Sequence, residues 1–248
     1  MSLSPLLSLF AVVSSSFAAD IAPLIAKVDV LDTQGKNAEA LALSLEAEKL
    51  APTDAEVLRR VAKQYAEAVL DAKGDAAKKA AADKSLDYAK RAVATAPKNA
   101  LARLSLAICY GRAASVADAK TKIAYSKLIK EHADAALALD PNNDLTYFVL
   151  GSWSYEIANL GTLLRAAARV VYGALPSATN QDAARFLERA VQLNPRRVCS
   201  HASLGRCYVA LGQKEKAKQS LQRALALPDG DKGDDIVKKQ AREALDDL

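Results

Sequence analysis

Lys130, Glu131 and His132 stand side by side in the segment KLIKEHADAALALDP, residues 127–141, of a chain that has only two histidines. A cation, a carboxylate and an imidazole in succession are groups that can transfer protons. The segment has helical spacing, however, and consecutive residues of a helix point about 100° apart. The three side chains therefore cannot converge on one substrate atom without help from another helix, and we expect them to bind rather than to catalyse.

Other motifs of catalysis and metal binding do not occur in the sequence. Cys199, Ser200 and His201 are consecutive, which is not the spacing of metal ligands. There is no glycine-rich phosphate loop and no Gly-x-Ser-x-Gly elbow. We expect no enzymatic activity, no metal and no cofactor, and we interpret His201 as a packing residue.

The three cysteines are expected to be free. Cys199 and Cys207 fall in one expected helix, where a rise of 1.5 Å per residue separates them by about 12 Å, too far for a disulfide. Either could instead pair with Cys109. The helical context nevertheless favours three buried thiols.

Composition favours helices as the elements that position these residues. Alanine is abundant, whereas the 248 residues include only 10 glycines, 8 prolines and one tryptophan. Alanine is the best helix former and allows helices to pack closely. No long stretch alternates between apolar and polar residues as a half-buried strand would. The sequence predicts an all-α protein.

An internal repeat emerges when five prolines are aligned, because an alanine precedes each of them by four or five residues. The pairs are Ala47 and Pro52, Ala92 and Pro97, Ala136 and Pro141, Ala190 and Pro195, and Ala224 and Pro228. A small residue in the second helix and a proline at the start of the next unit are typical of tetratricopeptide repeats. The last unit is the clearest, with Leu204, Gly205 and Tyr208 at consensus positions and Gly212 at the end of its first helix.

We therefore predict a tetratricopeptide-like, right-handed superhelix of antiparallel helix pairs over residues 20–248. The predicted units are about 21–52, 54–97, 100–141, 144–195 and 198–228, followed by a C-terminal capping helix. The unit 144–195 is enlarged by an extra helix with an apolar face from Leu160 to Ala174 and with Arg165 and Arg169 on another face. Thr179 and Asp182 then have the spacing of a capping box that opens the next helix.

The first 19 residues are uncharged and contain an apolar stretch followed by small residues around Ser16 and Ala18. This pattern is typical of a cleaved signal peptide and predicts export to a periplasm or secretion. The apolar stretch is shorter than the roughly 20 residues that span a bilayer. A short uncleaved anchor is the alternative, with a cytoplasmic or membrane-associated protein as its consequence.

The charge distribution indicates what the protein binds. Residues 98–223 carry 18 basic and 9 acidic side chains, whereas residues 20–97 carry 12 and 13. A basic surface suits an acidic peptide or protein segment, and the expected groove would be lined by the first helices of the pairs. Aromatic residues do not alternate with the basic ones as nucleic-acid stacking requires, so we expect no nucleic acid.

The candidate binding residues are Lys130, Glu131, His132, Trp153, Tyr155, Arg165, Arg169 and Arg206.

A second function class remains open from the sequence. The apolar face of Leu160 to Ala174 could line an apolar cavity, with Arg165 and Arg169 at its entrance. Such a cavity would carry an anionic lipid or another amphiphile.

The chain resembles the regulator of microtubule dynamics family of tetratricopeptide proteins. The resemblance rests on LDYAKRAVATAPKNALARLSLAICY, TKIAYSKLIKEHADAALALDPNND, LGSWSYEIANL and LGRCYVALGQKEKAKQSLQRALALP, and it covers roughly residues 21–248. It implies a non-enzymatic interaction domain. Members of the family are associated with microtubules and spindle poles, and some anchored members with membrane contact sites and phospholipid transfer.

Overall fold

The computed structural model describes residues 21–162, 165, 166, 168, 169 and 177–248. All regular structure within them is helical, which confirms the all-α prediction. The predicted signal segment and most of the predicted extra helix lie outside the described residues. The helices are α1 (21–33), α2 (Asn37–Leu50), α3 (Ala55–Asp71), α4 (Asp75–Thr95), α5 (Ala100–Ser115), α6 (Ala119–Leu139), α7 (Asp144–Ala158), α8 (Asn180–Leu193), α9 (Val198–Ala210), α10 (Lys214–Ala226) and α11 (Asp234–Asp246).

Three helices begin at a cap that lies two residues after a proline. Asp54, Asn99 and Asn143 follow Pro52, Pro97 and Pro141, and each accepts hydrogen bonds from backbone N–H groups in the first turn of the helix that it opens. Such caps satisfy donors that have no partner within the helix. The short segment Pro-x-Asp/Asn therefore closes one helix pair and opens the next.

The predicted capping box of α8 is confirmed. The Thr179 hydroxyl accepts from the backbone N–H of Asp182 at 3.0 Å, and the Asp182 carboxylate accepts from the backbone N–H of Thr179 at 3.1 Å. The Thr179 hydroxyl also donates to the Asp182 carboxylate at 2.7 Å, and this bond is the largest cause of the lowered pKa of the Asp182 carboxyl. The added residues of the enlarged unit are thus followed by an N-terminal cap that begins α8.

The contacts group the chain into two compact units, unit 1 up to Pro97 and unit 2 from Lys98. In unit 1, α3 packs between α2 and α4, and its buried side chains include Val57, Leu58 and Val61. In unit 2, the pairs α5 and α6, α7 and α8, and α9 and α10 have extensive contacts. The last helix, α11, packs on both α9 and α10.

Two glycines of unit 2 allow close helix packing. A Cβ atom built on Gly205 would lie 2.6 Å from Cγ of Leu221, and one built on Gly151 would lie 2.6 Å from Cγ of Leu187. Real Cβ atoms do not approach other atoms so closely. Gly212 has a different role, because its φ of 70° belongs to the left-handed region that ends a helix.

The cysteines are free, as predicted. Cys109 and Cys207 are buried, but Cys199 is partly exposed, so the expectation of three buried thiols is wrong for Cys199. No helix among the described residues combines the length and apolar character needed to cross a bilayer.

Candidate binding surface of unit 2

The Lys-Glu-His segment lies in α6, and its three side chains diverge as expected. Lys130 pairs with the Asp134 carboxylate one turn further along and also lies 5.5 Å from the centre of the Trp153 ring. Glu131 is exposed, whereas His132 is buried. The segment therefore does not assemble an acid-base site.

His132 belongs to the packed contact between α5 and α6. Its ring stacks on Tyr110 with centroids 5.8 Å apart and an interplanar angle of 8°. Nη1 of Arg103 lies 3.3 Å from its Nδ1, and because a guanidinium can only donate, Nδ1 accepts and the imidazole is neutral. Burial lowers the pKa of His132, Arg103 lowers it further and Glu131 opposes the shift.

Trp153 anchors α7 to α6. Its indole Nε1–H donates to both the backbone carbonyl and the hydroxyl of Ser126, each at 2.9 Å, and the side chain is only 6% exposed. From the sequence, Trp153 was a candidate binding residue. The structure places it in the interior, so that any contact with a partner would involve only its edge.

Tyr155 and Arg206, by contrast, lie at the surface and come together. The Arg206 guanidinium is 4.9 Å from the Tyr155 ring centroid, and 42% of its side chain is exposed. Its nearest carboxylate contact is Glu156 at 3.9 Å, with 72% of that side chain exposed. Two predicted residues from different helices, α7 and α9, therefore form one surface feature.

Further cations of unit 2 also lie over aromatic rings. Arg189 lies 5.9 Å from the Tyr147 ring centroid, and Lys216 lies 5.4 Å from that of Tyr208. An aromatic face attracts a cation without neutralising it. These contacts hold positive charge in place on the surface and leave it available to an anion.

Arg165 has a structural role at the end of α7. One of its terminal nitrogens donates to the carbonyls of Ile157, Ala158 and Leu160 at 3.0, 3.1 and 3.4 Å. A cation at the C-terminal end of a helix also interacts favourably with the helix dipole. Arg169 is exposed. The lipid cavity predicted around this segment depends mainly on residues outside the described ranges and stays a prediction.

A cleft that the sequence did not reveal lies between α7, α9 and α11, and we call it the α7–α9 cleft. Its volume is about 210 Å³. It is lined by Phe148 and Ser152 of α7, by Cys199, Ala202, Ser203 and Arg206 of α9, and by Val237, Gln240 and Ala241 of α11. The i, i+4 and i+3, i+4, i+7 spacings on α7 and α9 are sequence signals of a common helix face, but nothing in the sequence shows that α11 joins them.

Metal and nucleophile chemistry find no support in the described residues. No group of three or more His, Cys, Asp and Glu side chains there could hold a metal ion. Burial raises the pKa of Cys199 to about 12 and that of Cys207 to about 11. Both thiols are therefore protonated and poorly nucleophilic near neutral pH.

The fold defines the class, a tetratricopeptide-like helical repeat protein. A thermophilic tetratricopeptide protein of Thermus thermophilus superimposes with a TM-score of 0.63, covering 90% of this chain and 97% of that structure at 18% identity. Within this class the chain belongs to the family described as Regulator of microtubule dynamics protein 1-3, whose model matches residues 24–248.

Relatives from vertebrates share more of the sequence. Regulator of microtubule dynamics protein 1 of Mus musculus is 28% identical over 232 residues, which cover 93% of this chain and 75% of the mouse protein. The protein of the same name from Bos taurus is 30% identical over 194 residues, covering 77% of this chain and 61% of the bovine protein. The match thus leaves a sizeable part of both relatives uncovered.

Proposed function

We propose that the protein is a non-enzymatic scaffold that binds an acidic segment of a protein partner on unit 2. The observation that carries the proposal is the placement of Arg189, Arg206 and Lys216 over aromatic rings. A cation fixed over a ring keeps its charge and loses part of its side-chain freedom before a partner arrives. The excess of basic residues between 98 and 223 adds long-range attraction for acidic chains.

The scaffold role is supported by the fold. Stacked helix pairs present extended surfaces to peptides and proteins. The vertebrate relatives are named for the regulation of microtubule dynamics. We propose that this protein also acts in the regulation of microtubule dynamics if it remains inside the cell.

Binding of a fluorescein-labelled oligoglutamate peptide tests the electrostatic part of the proposal. Anisotropy titrations of the full chain should give an affinity that falls steeply between about 50 mM and 500 mM NaCl, since salt screens exposed charges over about 10 Å or less. A serine-glycine peptide of equal length is the control and should not bind. Equal affinity at both salt concentrations would contradict the proposed basic surface.

The compartment and the microtubule role have separate tests. Cosedimentation with polymerised tubulin, with and without 500 mM NaCl, measures whether the protein binds microtubules. Amino-terminal sequencing of the protein from its own cells shows whether the first 19 residues are removed. If the first 19 residues are removed and the protein is exported, its acidic partner must lie outside the cytoplasm.

A further inference from the structure

The α7–α9 cleft joins an apolar interior to one exposed cation. Phe148 and Val237 are half-buried, and Ala202 and Ala241 are buried, so small side chains leave room between larger ones. Arg206 lines the same cleft and is 42% exposed. An occupant would therefore meet an apolar surface and a guanidinium side by side.

The electrostatics of the cleft favour an anion next to the apolar group. Within the described residues, no carboxylate lines it, and Cys199 contributes a neutral thiol. Glu156 is the nearby carboxylate, but at 3.9 Å and with both side chains exposed its ion pair with Arg206 is weak. A carboxylate of a partner could replace it at little cost.

The wall of the cleft formed by α11 is anchored before any partner binds. Arg197 pairs with both Asp144, at the start of α7, and Asp231, just before α11. Lys238 of α11 pairs with Asp229 and donates to the Leu227 carbonyl. A cleft held in shape by such contacts requires little ordering on binding, and this lowers the entropic cost.

The volume identifies the size of the apolar group. Pockets for small-molecule ligands are roughly 300–1,000 Å³ and enclose most of the ligand. At about 210 Å³ the cleft is below this range. It suits one side chain of a peptide better than a metabolite or the acyl chains of a lipid.

We infer that the α7–α9 cleft binds one aliphatic side chain of an acidic peptide, and that Arg206 pairs with a carboxylate next to that side chain. The inference rests on the proposed function and names the partner's chemistry: an acidic segment interrupted by a single leucine-like residue. Recognition of both features would distinguish such a segment from a uniformly acidic chain.

Two labelled peptides test the inference on the full chain. One carries three glutamates on each side of a leucine, and the other has serine in place of the leucine. The leucine peptide should bind roughly tenfold more tightly, as expected when one aliphatic side chain is largely buried. Arg206→Gln should weaken the leucine peptide roughly tenfold, the effect of losing a charge-assisted hydrogen bond.

Matched variants separate the cleft from general charge effects. Arg185→Gln removes the same charge from α8, where Arg185 is paired with Asp182 and does not line the cleft, and it should change affinity at most about twofold. Glu156→Gln should tighten binding a few-fold by freeing Arg206. Ser203→Leu should fill the cleft and abolish the preference for leucine over serine.

Circular dichroism checks that Ser203→Leu is folded. If it is not, Gln240→Glu gives a second test of the location: Gln240 is exposed on α11 and lines the cleft, so a carboxylate there should weaken both peptides while the preference for leucine remains. Failure of every acidic peptide to bind would overturn the proposed function. Equal binding of the leucine and serine peptides, or equal effects of Arg206→Gln and Arg185→Gln, would overturn the cleft alone.

Discussion

Unit 1 and unit 2 use their basic side chains differently. In unit 1, Arg60 binds Asp29 and Glu56, and Lys63 binds Asp32 and Glu67. In unit 2, Arg206 lies over the Tyr155 ring, and among the described residues it has only a long ion pair with Glu156. Unit 1 also places cations over rings, Lys84 over Tyr65 and Arg91 over Tyr88, but Arg91 is paired with Glu48 as well. Arg60 and Lys63 of unit 1 are thus neutralised within the fold, whereas Arg206 of unit 2 keeps its charge available at the surface.

One cation of unit 2 is enclosed by carboxylates, as Arg60 of unit 1 is. Arg197 of unit 2 is bound by Asp144 and Asp231, and only 17% of its side chain is exposed. Burial is the largest single influence on its pKa and lowers it, but these carboxylates together outweigh burial and raise the pKa. Arg197 is therefore enclosed by carboxylates in the same way as Arg60 of unit 1, and in this it differs from Arg206, which lies over a ring.

The largest expected effect concerns helix spacing in the two units. Ala62 of unit 1, three residues before Tyr65, holds the place that Gly205 holds before Tyr208 in unit 2. Gly205→Ala should lower the free energy of unfolding by about 1–3 kcal/mol, since its Cβ would press on Leu221. Urea denaturation measures this change.

Gly111→Ala is the control for that substitution. A Cβ at Gly111 meets nothing within 4 Å, so replacing a helical glycine there should stabilise the protein by about 0.5–1 kcal/mol. If Gly205→Ala were also stabilising, the close helix packing assigned to Gly205 would be wrong.

The second prediction compares one arginine from each unit. Arg60→Gln should cost about 1–2 kcal/mol of stability, because it removes the partner of Asp29 and leaves Glu56 with Arg59 alone; the exposure of both carboxylates keeps the cost from being larger. Arg206→Gln should cost no more than about 0.5–1 kcal/mol, the contribution of an exposed cation over a ring. Thermal or urea unfolding of both variants provides the measurement.

If Arg206→Gln lowered stability more than Arg60→Gln, the contrast drawn between the two units would be wrong. Lys79→Gln serves as the reference, because its ion pair with Asp83 is largely exposed on both sides. That substitution should leave stability within about 0.5 kcal/mol of the wild type.

The smallest expected effect is a pH dependence that arises in unit 2. Both histidines, His132 and His201, lie there, and burial lowers the pKa of each below the ordinary 6.5. The unfolded chain then binds protons more readily than the folded one, so stability should fall as the pH drops below about 6.5. In unit 1 the lowered pKa of Glu56 acts only below its ordinary value of 4.5.

His132→Phe preserves a ring beside Tyr110 but cannot take up a proton. Urea denaturation at pH 7.5 and 5.5 should therefore show a smaller loss of stability for this variant than for the wild type. Arg103 and Glu131 act on His132 in opposite directions, and Tyr110 remains uncharged in this range because burial raises its pKa. An unchanged pH dependence in the variant would assign the effect to His201.

The repeat pattern made most of the fold predictable. The spacing of Ala136 from Pro141 and the consensus residues around Gly205 depend on contacts within one helix pair, which recur along the chain. The divergence of Lys130, Glu131 and His132 followed from helix geometry alone. Local periodicity was sufficient for features that depend on one helix or on the consensus positions of the repeat.

Contacts between helices were harder to predict. The bonds of Trp153 to Ser126 and the stacking of His132 on Tyr110 join residues 22–27 positions apart, and the sequence does not specify which ring meets which. Arg165 was expected to face a ligand but caps α7, because the carbonyls at a helix end attract any nearby donor. The α7–α9 cleft depends on where α11 docks, which periodicity does not determine.

The caps that follow Pro52, Pro97 and Pro141 have a consequence for the history of the chain. Each of the three helix pairs that follow these prolines has its own N-terminal cap, so that a change inside one pair need not disturb the start of the next. The enlarged pair of α7 and α8 illustrates this independence, since Thr179 and Asp182 restart the chain after the added residues. In an ancestor with such caps, a segment could be inserted into one repeat and selected without changes in the other repeats.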